Sequence, residues 1–384
     1  MTVVGIICEY NPFHNGHARQ IQLVRQASPK AAVVCLMSGN YVQRGHPAIV
    51  DKSLRAEAAL NGGADLVLEL PITCALSSAE GFARGGVEIL TKLGCTHLCF
   101  GSESGDGNAL MGTARALRSP AFSAALREFL DQGLSFPVAR AKALGGNCPE
   151  APNDILGVEY CKAILELDSP MLPSPIQRPG NYHDTEAHLD APSATALRRL
   201  MEAGQDWSPY SPAHKLLAQG TIHLPQWGER AILAKLRTMT DAEFEALPYG
   251  SEGLWRKLMH ASRRCGTLDE ILTEVKSKRY TRTRLDRMVL CAFLGITAND
   301  LAVPAPYVRV LAMNDTGRTL VRAGKERLNL VNPGQKLDDP YYSLERRAAD
   351  LYGLFAKIPE PPGAEDRRRI IYKKNACLFD APDV

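Results

Sequence analysis

Short apolar runs alternate with helix-period stretches along the first half of this chain, and that rhythm leaves few folds open. Val3–Cys8, Ala31–Met37, Asp65–Leu70, His97–Gly101 and Pro173–Gln177 have the length and composition of buried strands. Between them, His17–Gln26, Asp51–Leu60, Ser78–Leu93 and Asp154–Leu167 space their apolar residues as helices do. Strand, helix, strand repeated in this way predicts βαβ units, hence an α/β fold with a mainly parallel sheet covered on both faces. Gly105–Cys148 interrupts the rhythm and reads as a helical insertion. From Ser211 onward helix periods dominate, at Ala213–Gln219, Asp241–Ala246, Gly253–Cys265, Asp269–Lys276 and Arg284–Leu294. The Pro-rich stretch Trp207–Pro212 marks a boundary, giving an expected division into 1–206 and a mostly helical 207–384. Within the second part, "YVRVLAMND" and "RLNLVN" suit short strands, and "IPEPPGAED" (358–366) suits an exposed loop.

Composition removes some function classes. With 384 residues, 45% hydrophobic and 23% charged, the chain is long enough for a large core and has an ordinary globular balance. No run approaches the roughly 20 apolar residues of a membrane span, and no signal core follows the N-terminus, so a cytoplasmic protein is expected. The ten cysteines are scattered without a CxxC pair, and Cys35, Cys99 and Cys291 fall in apolar segments; they read as reduced thiols, neither disulfides nor a metal site. A net charge of +3 makes any nucleic-acid signal a local matter.

The chemistry concentrates where the first strand meets the first helix, in "CEYNPFHNGHARQIQLV" (8–24). Pro12 stiffens the turn, and Gly16 lets backbone approach a ligand closely. The helix start adds unpaired N–H groups and a positive dipole end. His14 and His17 sit at that corner and can donate hydrogen bonds to phosphate oxygens as charge develops. In an open parallel sheet this is the strand end where ligands bind. A surface turn carrying two incidental histidines would share the pattern.

Pro12-Phe13-His14-Asn15-Gly16-His17 resembles the HxGH signature of the nucleotidyltransferases that attack the α-phosphate of ATP, a Rossmann-like superfamily. The resemblance implies that His14 and His17 hold phosphates in the transition state. "SATALRR" (193–199) looks like the Ser/Thr-x-x-x-Arg motif that closes over the triphosphate in that superfamily. Ser193 and Thr195 would then meet phosphate oxygens, and Arg198 the leaving pyrophosphate; an N-cap followed by a surface arginine would look the same. The blocks "GIICEYNPFHNGH", "MSGNYVQRGHPAIVDKSLRAEAALNGGADLVLELP", "FGSE", "PNDILGVEY", "PIQR" and "KSKRYTRTR" together resemble the tRNA(Met) cytidine acetate ligases. That family makes acetyl-adenylate from acetate and ATP, with Mg2+ accompanying the triphosphate. It then acetylates the wobble cytidine of elongator tRNA(Met) to N4-acetylcytidine, releasing AMP and pyrophosphate. Carried over, the ATP contacts are Ile7, Cys8, Glu9, Tyr10, Asn11, Pro12, Phe13, His14, Asn15, Gly16, His17, Ala18, Arg19 and Gln20. Gly101, where a missing side chain leaves room for the nucleotide, joins them with Asn153, Arg178, Ser193, Thr195 and Arg198. No protein-held metal and no stable protein partner is expected. A small-molecule nucleotidyltransferase of cofactor synthesis, or an RNA-binding protein on a degenerate copy of the fold, would share the corner. The first needs no basic helical second part, and the second does not need intact His14, Gly16, His17, Ser193, Thr195 and Arg198.

Two segments face the other substrates. The polar loop "MSGNYVQRGHP" following the second strand suits an active-site loop, with Asn40, Gln43, Arg44 and Lys52 as candidate donors to acetate. "KSKRYTRTRLDR" (276–287) holds six Lys or Arg in twelve residues, so Lys276, Lys278, Arg279, Arg282 and Arg284 are expected to meet tRNA phosphates. Helical spacing would gather Arg279, Arg282 and Arg287 on one face, and Tyr280 would stack a base. "DRRRIIYKK" (366–374) is a second basic cluster.

Overall fold

The computed structural model describes residues 1–134, 136–145, 149–178 and 192–374, so the last residues of the insertion lie outside the described residues. The expected strands form as β1 (Val3–Cys8), β2 (Ala32–Ser38), β3 (Leu66–Leu70), β4 (His97–Ser102) and β5 (Leu172–Gln177). All five run parallel in the order β3-β2-β1-β4-β5. β1 and β2 pair from Val3↔Ala32 to Cys8↔Met37, while β1 touches β4 through Val4↔His97 and Gly5↔Leu98. Every residue of β1, β2 and β3 is buried, which suits parallel strands covered on both faces. Strand order reverses between β1 and β4, the switch point where such sheets bind ligands.

Helices α1 (Asn15–Ala27) and α2 (Lys52–Asn61) cover one face, packing Ile21, Ala56 and Ala59 on Val4, Ile6, Cys35 and Met37. Helices α3 (Ala79–Leu93) and α5 (Pro152–Glu166) cover the other, with Phe82, Leu90 and Val158 against Val3, Ile7, Leu36 and Leu66. Strand side chains alternate between these two cores as period two demands. The insertion begins with α4 (Gly107–Leu117) and continues as helices at Pro120–Asp131 and Phe136–Ala143. Past it, α6 (Ala194–Glu202) returns to the first corner. Beyond 207, α7 (Pro225–Thr238), α8 (Leu254–Ser262), α9 (Leu268–Val275) and α10 (Arg282–Leu294) build a separate helical core around Leu236, Leu258, Ile271 and Met288.

The two segments read as short strands fold as β6 (Val308–Met313) and β7 (Leu330–Val331), with α11 (Asp315–Gly324) between them. They do more than decorate a helical region. β6 pairs antiparallel with β3, and β7 and β8 (Ile371–Tyr372) flank β6, so the late chain closes the edge of the first sheet. Helix α12 (Pro340–Tyr352) links the two regions. The stretch 358–366 is not wholly exposed either. Glu365 is 1% accessible and joins a buried charge network described below. The described cysteines are all free thiols, with Cys35, Cys99 and Cys291 buried. No described helix is long and apolar enough to cross a membrane.

Candidate active site

The β1–α1 corner opens onto a cleft with two adjoining lobes. One, of ≈ 390 Å³, runs over the ends of β1 and β4; the other, of ≈ 360 Å³, lies between the corner, the loop after β2 and α6. Glu9, Asn11, His14, His17, Arg178 and Arg198 line both. Leu23, Phe100, Leu156, Tyr160 and Ile176 give the first lobe an apolar wall suited to a flat base.

His14 is the N-cap of α1 in extended conformation, and its backbone N–H donates to His17 Nδ1 at 3.3 Å. That bond makes Nδ1 of His17 an acceptor and leaves Nε2 to carry the proton, a donor for a ligand. The two rings stack with centroids 3.6 Å apart, and Tyr10 lies 4.7 Å from the His17 ring. Burial, then Arg178 and Arg198, push His14 down to about 3. Burial, His14 and Arg178 push His17 down as well. Both imidazoles are neutral at pH 7 and act as polar donors without adding charge. His14 Nδ1 is buried with no hydrogen-bond partner among the described residues, so the corner retains a polar atom for a ligand.

Other expected ATP residues divide by position. Ile7, Cys8, Glu9, Tyr10, Asn11, Gly16, Arg19 and Gln20 line the cleft, as do Gly101, Asn153, Ser193 and Thr195. Phe13 does not. It is fully buried in the core under α1 and α2, where a Cβ on Gly62 would meet its ring at 2.6 Å. Pro12, Asn15 and Ala18 also lie off the cleft walls; the Asn15 amide donates to Pro209 O at 3.0 Å and ties the corner to the following segment. Gly16 serves its neighbour as well as a ligand, because a Cβ there would press the His14 ring at 3.1 Å. At Gly101 a Cβ would meet Arg178 Cδ at 2.9 Å, so this glycine makes room for the arginine stem. Arg178 then reaches Asn153 Oδ1 at 3.4 Å, and Asn153 donates to Glu103 at 2.7 Å. Glu103 also accepts the Asp154 N–H at the start of α5. Sequence reasoning passed over Glu103, because its partners at the start of α5 lie about 50 residues further along the chain. The apolar wall carries no signal that distinguishes it from core.

Ser193 caps α6 by accepting the Ala196 N–H at 3.0 Å, as the bland alternative required. Arg198 nevertheless turns inward, donating to Asn11 O at 2.8 Å and Thr195 Oγ1 at 3.1 Å. Glu9 accepts the Gln43 N–H at 2.7 Å, and burial raises its pKa against the pull of that bond and of Arg198 and Arg44.

Of the four acetate candidates, Gln43 and Arg44 line the cleft, whereas Asn40 and Lys52 do not. Asn40 Oδ1 accepts the Lys52 backbone N–H. Lys52 Nζ is buried between Glu69 at 2.7 Å and Glu365 at 2.9 Å. Arg309 on β6 bonds Glu345 on α12 at 2.9 Å, and Arg368 bonds Asp51 at 2.6 Å and Glu365 at 3.0 Å. Lys52 and Arg368 are therefore structural cations, which removes Lys52 from the acetate donors and the middle of the second basic cluster from RNA contact. The hairpin carrying Gln43 and Arg44 (Tyr41–Val42 with His46–Pro47) leans on α10: Arg287 donates to Gln43 O at 3.3 Å, and His46 Nε2 lies 3.8 Å from Asp286.

The expected tRNA segment is not one helix. Residues 276–281 form a turn with a Ser277–Tyr280 bridge, and α10 starts at Arg282. Tyr280 is 4% exposed under the Arg284 guanidinium and offers no face for stacking a base; its position in the helical core is the reason. Arg287 is also buried, against the Tyr249 ring. Lys276, Lys278, Arg279 and Arg282 are exposed, but Arg279 pairs with Glu252 and Arg282 with Asp269 and Asp286. Arg284 bonds Tyr249 O at 2.8 Å.

A parallel sheet with its reversal beside a buried His-x-x-His corner, faced by two arginines, defines a nucleotide-handling transferase site. Residues 1–366 match the family model described as HIGH Nucleotidyl Transferase, and the chain belongs to that class. A tRNA(Met) cytidine acetate ligase of Acetivibrio thermocellus is 34% identical over 94% of this chain and 96% of its own length. Another so named, from Clostridium novyi, is 37% identical over 86% and 89%. The apo crystal structure of Thermotoga maritima TmcAL superposes with a TM-score of 0.86 at 29% identity, covering 97% of this chain and all of that one; its form bound with alpha-thio ATP gives 0.84. Within its class, the chain is a member of the tRNA(Met) cytidine acetate ligase family, and it is a ligase.

Proposed function

We propose that this chain adenylates acetate with ATP and transfers the acetyl group to N4 of the wobble cytidine in elongator tRNA(Met), releasing AMP and pyrophosphate. The observation that carries the reading is the neutral His14–His17 stack at the strand-order reversal, with Arg178 and Arg198 beside it. The base of ATP would take the apolar lobe. Attack of the acetate oxygen on the α-phosphorus builds charge on phosphate oxygens, which the His17 Nε2–H and His14 would meet as preorganised donors. Arg198, with Ser193 and Thr195, would receive the departing pyrophosphate. Gln43 and Arg44, the acetate candidates that line the cleft, would hold the carboxylate.

Mg2+ would come with the triphosphate. No group of three His, Cys, Asp or Glu side chains among the described residues could hold a metal ion, while Mg2+ characteristically binds through substrate phosphates with one or two carboxylates. Glu9, lining both lobes, is the residue that would meet it. In the second half-reaction the cytidine amine, a weak nucleophile because its lone pair is delocalised, meets an acyl carbon whose leaving group is AMP. Holding the two together supplies much of the acceleration. We assign the adenylation work to 1–206 and tRNA contact to the helical part of 207–384, and place the protein in the cytoplasm, where its substrates are.

The test uses labelled acetate, ATP, Mg2+ and tRNA with the purified chain. The wobble cytidine should become labelled, with AMP and pyrophosphate as products and no acetyl-CoA required. ADP and phosphate as products, or a strict need for acetyl-CoA, would refute the mechanism.

A further inference from the structure

The 276–284 segment is dense in positive charge, yet its arginines are spoken for. A guanidinium whose charge is already matched by a carboxylate presents less net charge to a phosphate, which lowers its contribution. Unneutralised charge lies next door, on α8. Arg256, Lys257 and His260 are exposed while Leu254, Leu258 and Met259 are buried, so the outward face of this helix presents only basic or imidazole groups in its middle turns. Arg263 and Arg264 continue the same face at the helical i+7 and i+8 spacing from Arg256. Those last two are paired, Arg263 with Asp241 at 2.6 Å and Arg264 with Glu274. No ion pair involves Arg256, Lys257 or His260 among the described residues.

Three further observations shape this face into a site. Lys257, His260, Arg263 and Arg264 line a surface groove of ≈ 460 Å³ between α8 and α9, with Glu274 its acidic member. The Arg256 guanidinium sits 4.8 Å over the Trp255 ring, an arrangement that holds it in place before any partner arrives. Lys257 lies 6.0 Å over the Tyr280 ring, and Glu252 just before α8 bonds Arg279 and the Tyr280 hydroxyl. The α8 face is thus continuous with the turn that carries Lys276 and Lys278. On the far side the balance turns acidic, because in the neighbouring concavity Arg264 is outnumbered by Asp269, Glu270 and Glu274.

We propose that the exposed face of α8, centred on Arg256, Lys257 and His260, is the principal phosphate-binding surface for the RNA substrate, with Lys276 and Lys278 as its extension. The inference rests on the tRNA reading above and adds where the backbone is held. RNA is favoured as the occupant by charge complementarity and by the groove, which can follow a line of phosphates.

The test compares the full-length wild type with a triple variant, Arg256→Gln with Lys257→Gln and His260→Gln, for binding to an elongator tRNA(Met) transcript over a series of salt concentrations. The triple variant should bind about tenfold or more weakly at low salt. Its plot of log affinity against log salt should be shallower by about 1.5 to 2, as loss of two cationic phosphate contacts requires. Acetate-dependent pyrophosphate exchange without tRNA and the thermal midpoint should not change. A second variant, Arg279→Gln with Arg282→Gln, should lose less. Wild-type affinity and slope in the triple variant would overturn the α8 assignment while leaving the tRNA reading intact, as would a larger loss from the double variant. If the wild type bound anionic vesicles but no tRNA, both would fall.

Discussion

Neutrality is the property that the corner imposes on its histidines, and it has consequences for rate and for stability. His17 presents one donor whose tautomer is fixed by the His14 backbone N–H, so its removal subtracts a preorganised hydrogen bond from the transition state. His17→Ala should cut acetate-dependent pyrophosphate exchange by about a hundredfold or more, with a smaller effect on ATP affinity. Near-normal exchange would exclude it from the chemistry. The stability effect has a definite sign. His14 stays neutral in the folded protein down to about pH 3. In the unfolded chain it takes a proton near pH 6.5. Between those values the unfolded state binds more protons, so this group lowers stability as pH falls, by about 2 kcal/mol at pH 5 relative to pH 7. His14→Gln should therefore give a flatter stability profile between pH 7 and 5 in urea unfolding. A profile parallel to wild type would mean that His14 is not held neutral.

The hairpin between β2 and α2 is the element with two hosts. One strand end delivers Gln43 to Glu9 and the cleft, while the turn rests on α10. Gly45 makes this approach possible: its φ is +81°, and a Cβ there would lie 2.6 Å from the Asp286 carbonyl carbon. Gly45→Ala should cost about 1–3 kcal/mol in unfolding experiments and reduce pyrophosphate exchange as well, since the hairpin must leave α10 to accept the methyl group. A stable variant with full exchange would show that the hairpin does not need this seat. Elements of this kind also show what the sequence reveals. The β1–α1 corner was legible because an apolar run, a Gly and paired histidines are local signals. The α8 face lies within the predicted helix Gly253–Cys265, but the role proposed for it depends on the partners of Arg279, Arg282 and Arg284, which no local pattern announces. Tyr280 and Lys52 misled for the same reason. Residue type announces what a side chain can do, while burial and pairing depend on chain hundreds of residues away, as Lys52 with Glu365 illustrates.

At the scale of the whole molecule, the buried charges fasten the end of the chain to its beginning. Lys52 on α2 holds Glu69 of β3 and Glu365, and Arg368 reaches back to Asp51. Lys52→Met would leave two carboxylates without their shared cation, a loss on the order of 3–5 kcal/mol that thermal or urea unfolding would register. A variant as stable as wild type would mean that Arg309 and Arg368 neutralise the site unaided. Sheet closure has the same reach, since β3 pairs on one side with β2 and on the other with β6. On the ribosome, β3 emerges long before its second neighbour exists. Roughly 240 residues separate them, which at about 5–20 residues per second is a wait on the order of 10–50 s. For that interval an apolar strand has an open edge, available to any other nascent chain or to a chaperone.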